Sequence, residues 1–197
     1  MQLAFYLTLL FITLYSGCRL SSASANSHDQ AALHLSELDD SVLAAYAVDL
    51  DQDGDLDVIS SLYADDHIAW YENDGAQNFT KKSVGNPNES YGVYFLSSAD
   101  LDNDQDLDVL AVSSTNYRIL WFENDGNQQF THHIVHDNTE AVSWVSAADI
   151  DLDGDLDLFS TSMNDKNIGW YENDGQGNFL LHSFNETNQQ TVLVHSR

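Results

Sequence analysis

The chain has 197 residues, 43% hydrophobic and 11% aromatic, with thirty-two acidic residues against six basic ones and a formal net charge of −26. That apolar content suits one ordinary folded domain and excludes a wholly disordered chain. The scarcity of Lys and Arg excludes the basic stripes that nucleic acid requires and makes an anionic membrane surface unfavourable.

The first segment reads as an export leader. "LAFYLTLLFITLY" (residues 3–15) is an apolar run too short for a comfortable membrane span, and "ASA" at 23–25 supplies the small residues that a signal peptidase prefers. Residues 1–25 are therefore expected to be a signal peptide cut after Ala25, leaving a secreted, extracellular chain of 26–197 with no membrane contact beyond that signal. Cys18 is the one cysteine and falls inside the leader. "YSGC" also admits a lipoprotein site, against which Tyr15 stands where a small aliphatic residue is usual. If the leader is removed, no disulfide is possible, and metal ions are the other familiar staple of an extracellular domain.

After the leader the elements are β. "AALHLSEL" (31–38) has the position of the outer strand of a preceding unit. "AAYAVDL" (44–50) then runs into an acidic loop, "DLDQDGDLDVI" (49–59), followed by "LDVISSLY", "HIAWYE" and "NFTKKSV". The same succession returns with "YFLSSADL", the loop "DLDNDQDLDVL" (100–110), "LDVLAVSS", "RILWFE" and "QFTHHIV". It returns again with "VSAADI", "DIDLDGDLDLF" (149–159), "LDLFSTS", "NIGWYE" and "NFLLHSF". "WYENDG", "WFENDG" and "WYENDG" open at 70, 121 and 170, with NDG read as a type I turn ending on Gly. The loops open at Asp49, Asp100 and Asp149, so the period is near 50 residues and marks a repeat architecture. Units fall at roughly 31–79, 80–130 and 131–179, with 180–197 the start of a further one. Four short antiparallel strands per unit describe the blade of a β-propeller.

The D-x-D-x-D-G-x-x-D loop, the W-[YF]-E-N-D-G segment and the spacing resemble the FG-GAP/VCBS repeat family, which includes secreted bacterial and marine proteins and, more distantly, the integrin α-subunit head. The resemblance covers about 31–197. It implies an all-β, calcium-binding propeller used for adhesion or ligand binding. Propellers usually close with about four to eight blades, and about three are present here. The chain is accordingly expected to be an incomplete ring or open arc: a truncated sequence, a fragmentary gene model, or a chain that completes itself by association through open blade edges.

The loops match calcium chemistry. Calcium takes oxygen ligands from carboxylates, backbone carbonyls and water. Acids at positions 1, 3, 5 and 9 can wrap such an ion, Gly at position 6 lets the backbone reverse, and position 7 contributes its carbonyl. The expected side-chain ligands are Asp49, Asp51, Asp53 and Asp57, with Asp55 by its backbone. In the second loop they are Asp100, Asp102, Asp104 and Asp108 with Asp106; in the third, Asp149, Asp151, Asp153 and Asp157 with Asp155. About three Ca2+ ions are expected, one per loop. Gln105 stands where the other loops have Gly54 and Gly154, so the second site is expected to be weaker if that residue sits at positive φ. An EF-hand is excluded: its bidentate Glu belongs at position 12, where these loops place Ser60, Ala111 and Ser160. The loops offer no His or Cys, which disfavours a transition metal.

Trp70, Trp121 and Trp170 could stack on sugar rings, but a fixed strand position in every unit points to packing between blades. The Glu and Asp of ENDG are expected to serve turns and hydrogen bonds, and His132 and His133 to lie on a solvated outer strand. A catalytic site breaks repeat symmetry, and no nucleophile elbow, phosphate loop or zinc signature is present, so no enzyme activity is expected. The sequons at 78, 88 and 185 say little. The expected role is recognition or adhesion, with a protein or glycan ligand. The alternatives are a non-catalytic module of a secreted polysaccharide-degrading enzyme, or a structural spacer with no ligand beyond calcium.

Overall fold

The computed structural model describes residues 42–62, 67–115, 117–137, 142–162, 167–184 and 189–194. The expected leader, Cys18 and the strand expected at 31–38 lie outside them. Among the described residues the chain is all-β, in three antiparallel sheets. Blade 1 contains β1 (Val42–Val48), β2 (Asp57–Leu62), β3 (His67–Asn73) and β4 (Phe79–Val84), in that spatial order. Blade 2 repeats it with β5 (Val93–Ala99), β6 (Asp108–Ser113), β7 (Arg118–Asn124) and β8 (Phe130–His136). Blade 3 contains β9 (Val142–Ala148), β10 (Asp157–Ser162), β11 (Ile168–Asn173) and β12 (Phe179–Phe184).

Two differences from the sequence reading concern strand partners. Each ENDG hairpin folds the fourth strand back onto the third, as Asn73↔Phe79 and Asn124↔Phe130 show. The blades therefore end at Val84, His136 and Phe184, not near 79, 130 and 179. The segment after Phe184 was expected to open a fourth unit. Instead β13 (Gln189–Val194) pairs antiparallel with β12, from Phe184↔Gln189 to Phe179↔Val194, and makes blade 3 a five-stranded sheet. A strand laid there satisfies the row of backbone N–H and C=O groups that β12 would otherwise present at an open edge.

The blades stack face to face, and this is why the central strands lack a polar face. Every residue of β6 is buried. Alternate side chains go to opposite neighbours. Ile59, Ile68 and Trp70 of blade 1 pack with Val109, Ala111 and Phe122 of blade 2. Leu110, Ile119 and Trp121 pack with Leu158 and Tyr171 of blade 3. The first strands meet at the inner side of the arc, β1 against β5 and β5 against β9. Tyr94 of blade 2 donates its hydroxyl to the Val142 carbonyl, and His136 Nδ1 lies 3.0 Å from the Tyr171 hydroxyl, so polar contacts also tie blades 2 and 3.

The tryptophans are packing residues at two of the three positions. Trp70 meets Phe130 of the next blade edge-on at 6.2 Å, and Trp121 meets Phe179 in the same way at 6.3 Å. Such edge-to-face pairs suit the ring quadrupole.

Candidate metal centre

Each acidic loop joins the first two strands of a blade, β1–β2, β5–β6 or β9–β10. The loop closes on itself through its acids. Gly54 N–H donates to Asp49 Oδ2 at 3.1 Å and Asp55 N–H to Asp53 Oδ1 at 2.9 Å. The third loop repeats both bonds, from Gly154 to Asp149 and from Asp155 to Asp153. Asp49, Asp51 and Asp53 thereby come together, each offering an oxygen within 4.8 Å of the others. Asp100, Asp102 and Asp104 do the same, as do Asp149, Asp151 and Asp153.

Position 6 takes the left-handed backbone in all three loops: φ is 100° at Gly54, 79° at Gln105 and 104° at Gly154. Gln105 keeps the shared hydrogen bond, its N–H donating to Asp100 Oδ2 at 3.1 Å. The substitution thus preserves loop shape at a backbone cost of about 1–2 kcal/mol. Position 4, which sequence reasoning passed over, is also left-handed, with φ of 58° at Gln52, 61° at Asn103 and 66° at Leu152. Nothing but glycine or asparagine would have flagged it, and only Asn103 fits that signature.

The acids at position 9 are fully buried at the start of the second strand. Asp57 accepts from Leu50 N–H (3.2 Å) and Trp70 Nε1 (2.9 Å) through Oδ2, and from Asn73 N–H (2.8 Å) through Oδ1. Asp108 accepts from the N–H groups of Leu101 and Asn124, and Asp157 from those of Ile150 and Asn173. Expected simply as ligands, these three also anchor the third strand to the loop. Asp55, Asp106 and Asp155 set their carboxylates against Gly75, Gly126 and Gly175, where a Cβ would collide with them.

The ENDG segment is the other half of this structure. Asn73 Nδ2 donates to the Leu56 carbonyl at 3.1 Å while its Oδ1 accepts from Gly75 N–H, so one side chain ties loop to hairpin. Asn124 and Asn173 repeat the tie, and Asn173 also reaches the Leu101 carbonyl of blade 2 at 2.7 Å. The hairpin itself is a five-residue connection, residues 74–78 in blade 1. Asp74 N–H donates to the Asn78 carbonyl, Gly75 and Gln77 are left-handed, and the Asp74 carboxylate accepts from Ala76 and Asn78. The asparagine's role was signalled by its recurrence in every copy of the motif.

The Glu of ENDG pairs across the hairpin. Lys82, His133 and His182 lie directly opposite Trp70, Trp121 and Trp170. Each covers its indole and reaches Glu72, Glu123 or Glu172 at 2.6 Å. His133, expected on a solvated face, is half-buried against Trp121. His132 lies against Tyr91 and lines a small cleft with Glu89 and Arg118.

The electrostatics of the triads are strained. Partial burial, with the charges of Asp57 and Asp53 behind it, raises the Asp51 carboxyl above its ordinary range. Burial followed by Asp104 and Glu123 does the same to Asp102, and burial also raises Asp151. Burial pushes Asp108 up to about 7. Within these clusters Asp49 Oδ1, Asp51 Oδ1, Asp100 Oδ1 and Asp149 Oδ1 are buried with no hydrogen-bond partner. Buried carboxylate oxygens without donors are costly unless a cation meets them. The donor set is all oxygen, as hard divalent cations require, so the three triads could hold metal ions.

Stacked four-stranded blades with an acidic loop between their first two strands define a β-propeller repeat module. The family model for the FG-GAP-like repeat matches residues 49–111 and 100–160, more than half the chain. The protein belongs to the FG-GAP-like repeat family. None of the curated proteins and none of the solved structures compared with it matches.

Proposed function

We propose that the protein is a secreted, calcium-stabilised propeller-repeat module that recognises a protein or glycan on a loop face. The observation that carries the calcium reading is the orphaned Oδ1 at position 1 of every triad, buried beside two further carboxylates. Asp49, Asp51 and Asp53, and their counterparts in the other two loops, would hold the ion. Calcium supplies a double positive charge that offsets the mutual repulsion of these acids and fixes the loop. Its flexible coordination suits the clusters better than the octahedral demand of magnesium. Asp57, Asp108 and Asp157 then carry that order into the strand pairs through their backbone donors.

Secretion rests on the apolar run and "ASA" at the N-terminus, and among the described residues no helix is long and apolar enough to cross a membrane. Recognition is favoured over catalysis because the site's chemistry recurs in all three blades, whereas one reaction needs one set of catalytic groups. Calorimetric titration of the chain with calcium tests the reading. It predicts a stoichiometry of three, with the Asp100–Asp104 site the weakest, and an absence of binding heat in a folded chain would refute it.

A further inference from the structure

Asp108 pairs with Ala99 beside the acidic loop of blade 2, whereas Ser113 pairs with Val93 and Arg118 at the far end of the same strands. At that far end a cleft of about 160 Å³ opens between blade 2 and the connection from β4 to β5. Glu89, Ser90 and Tyr91 line it from the connection, Ser113, Arg118 and Leu120 from β6 and β7, and His132 from β8. Tyr91 is held in place edge-on to Phe122 at 5.1 Å and to His132 at 5.5 Å.

Two of these side chains break the repeat. Arg118 stands where the other blades have His67 and Asn167, and His132 where they have Lys81 and Leu181. Arg118 Nε is buried with no hydrogen-bond partner, and among the described residues no carboxylate lies within ion-pair distance of the guanidinium. A guanidinium cannot shed its proton, and a buried charge is costly unless something pairs with it. His67 also hides a ring nitrogen without a partner, but a neutral imidazole bears that at less cost. The carboxylate that lines the cleft is already engaged. Glu89 Oε1 accepts from Asn86 Nδ2 at 3.0 Å, while Oε2 accepts from the Tyr91 hydroxyl at 3.2 Å and lies 3.5 Å from His132 Nδ1.

We propose that this cleft binds the carboxylate of a small organic acid, free or carried on a sugar, with Arg118 as its counter-charge. The planar guanidinium fork matches a planar carboxylate. Ser90 and Ser113 line polar edges for the ligand's hydroxyls, and Leu120 gives its carbons an apolar wall. A monoanion fits better than sulfate or phosphate, because Glu89 repels a second negative charge. At about 30 Å³ per water the cleft has room for about five waters, so the ligand is small or inserts only its acidic end. The site uses no residue of the acidic loops, so its failure would leave the calcium reading untouched.

Amide chemical shifts of the full chain, titrated separately with acetate, glucuronate, glucose and sulfate, test the assignment. Both carboxylates should give saturable shifts at Ser90, Ser113 and Arg118, with Kd of about 10 mM or lower. Tighter binding of glucuronate identifies a sugar-borne ligand, and equal binding of acetate identifies a free acid. Arg118→Gln should weaken both by about tenfold or more while the spectrum of the other blades stays as it is. Lys81→Gln, which removes an exposed cation from β4, should leave binding unchanged. The proposal is overturned if neither carboxylate gives a saturable shift. Glucose or sulfate binding as tightly as the carboxylates, or binding indifferent to Arg118→Gln, overturns it too.

Discussion

Asp57 Oδ1 accepts the backbone N–H of Asn73 at 2.8 Å, a contact that ties the end of the acidic loop to the last residue of the third strand sixteen positions away. The bond recurs between Asp108 and Asn124 and between Asp157 and Asn173, at 2.9 Å in both. Two motifs that look separate in sequence are thus one structural unit, with the aspartate at the end of one bonded to the asparagine in the middle of the other.

Position 9 should therefore behave differently from position 5. Asp57→Ala leaves the donors of Leu50, Trp70 and Asn73 buried without an acceptor. Each such loss costs about 1–3 kcal/mol, so chemical denaturation in chelator should show a loss of several kcal/mol or a failure to fold. Asp53→Asn removes charge from an exposed loop residue and should cost far less in chelator while lowering calcium affinity. Equal losses for the two variants in chelator would contradict the division of roles.

Left-handed positions held by the wrong residue give a gain of stability. Gln105→Gly relieves a φ of 79°, and Leu152→Gly a φ of 66°. Each should stabilise the chain by about 1 kcal/mol, read as a raised denaturation midpoint, with Gln105→Gly also strengthening calcium binding at the second loop. The reverse exchange, Gly154→Gln, should cost a similar amount, because the space beside Gly154 is open and only backbone strain is added.

Gly126→Ala tests the other kind of glycine. Its φ is 70° and an added Cβ would strike the Asp106 carboxylate. Strain and collision together should destabilise blade 2 by more than Gly54→Ala destabilises blade 1, since nothing lies within 4 Å of a Cβ at Gly54. Comparable melting temperatures for the two variants would contradict the close approach of loop and hairpin.

The raised carboxyls fix the sign of the pH dependence. Folding lifts Asp108 from an ordinary 3.8 to about 7, so the folded chain binds that proton more tightly than the unfolded one. Stability in chelator should fall as pH rises through this window, the penalty being complete above the folded value. Asp51, Asp102 and Asp151 are raised too and act in the same direction. Glu72, lowered by Lys82, contributes oppositely, and that contribution is lost as pH falls through its folded value. In calcium the ion competes with the protons, so the trend between mildly acidic and neutral pH should invert. Melting temperatures across that range, with and without chelator, check both halves.

Much of this was legible in the chain because the repeat states it three times. Short runs rich in β-branched and aliphatic residues mark the strands, and the spacing of Asp49, Asp51 and Asp53 marks a loop whose alternate side chains converge. The partners across space were not legible. Nothing local to Asn73 says that its amide will hold Leu56, and nothing local to "TVLV" says that β13 will pair with β12. Position 4 of the loops was missed because Gln52 and Leu152 tolerate their left-handed backbone without the residue types that advertise it. Trp170 looks identical to Trp70 and Trp121 in sequence, yet its burial depends on a neighbouring blade.

Thermal unfolding of the chain in calcium, set beside unfolding in chelator at the same neutral pH, addresses the central claim most directly. The acidic loops join the blades' first two strands and contain buried oxygens without donors, so a bound ion should stabilise the whole arc. The expected result is a melting temperature raised substantially by calcium, less by magnesium, and returned to its starting value by chelator. Identical melting in calcium and chelator would contradict the account and leave the three loops as acidic turns without an ion.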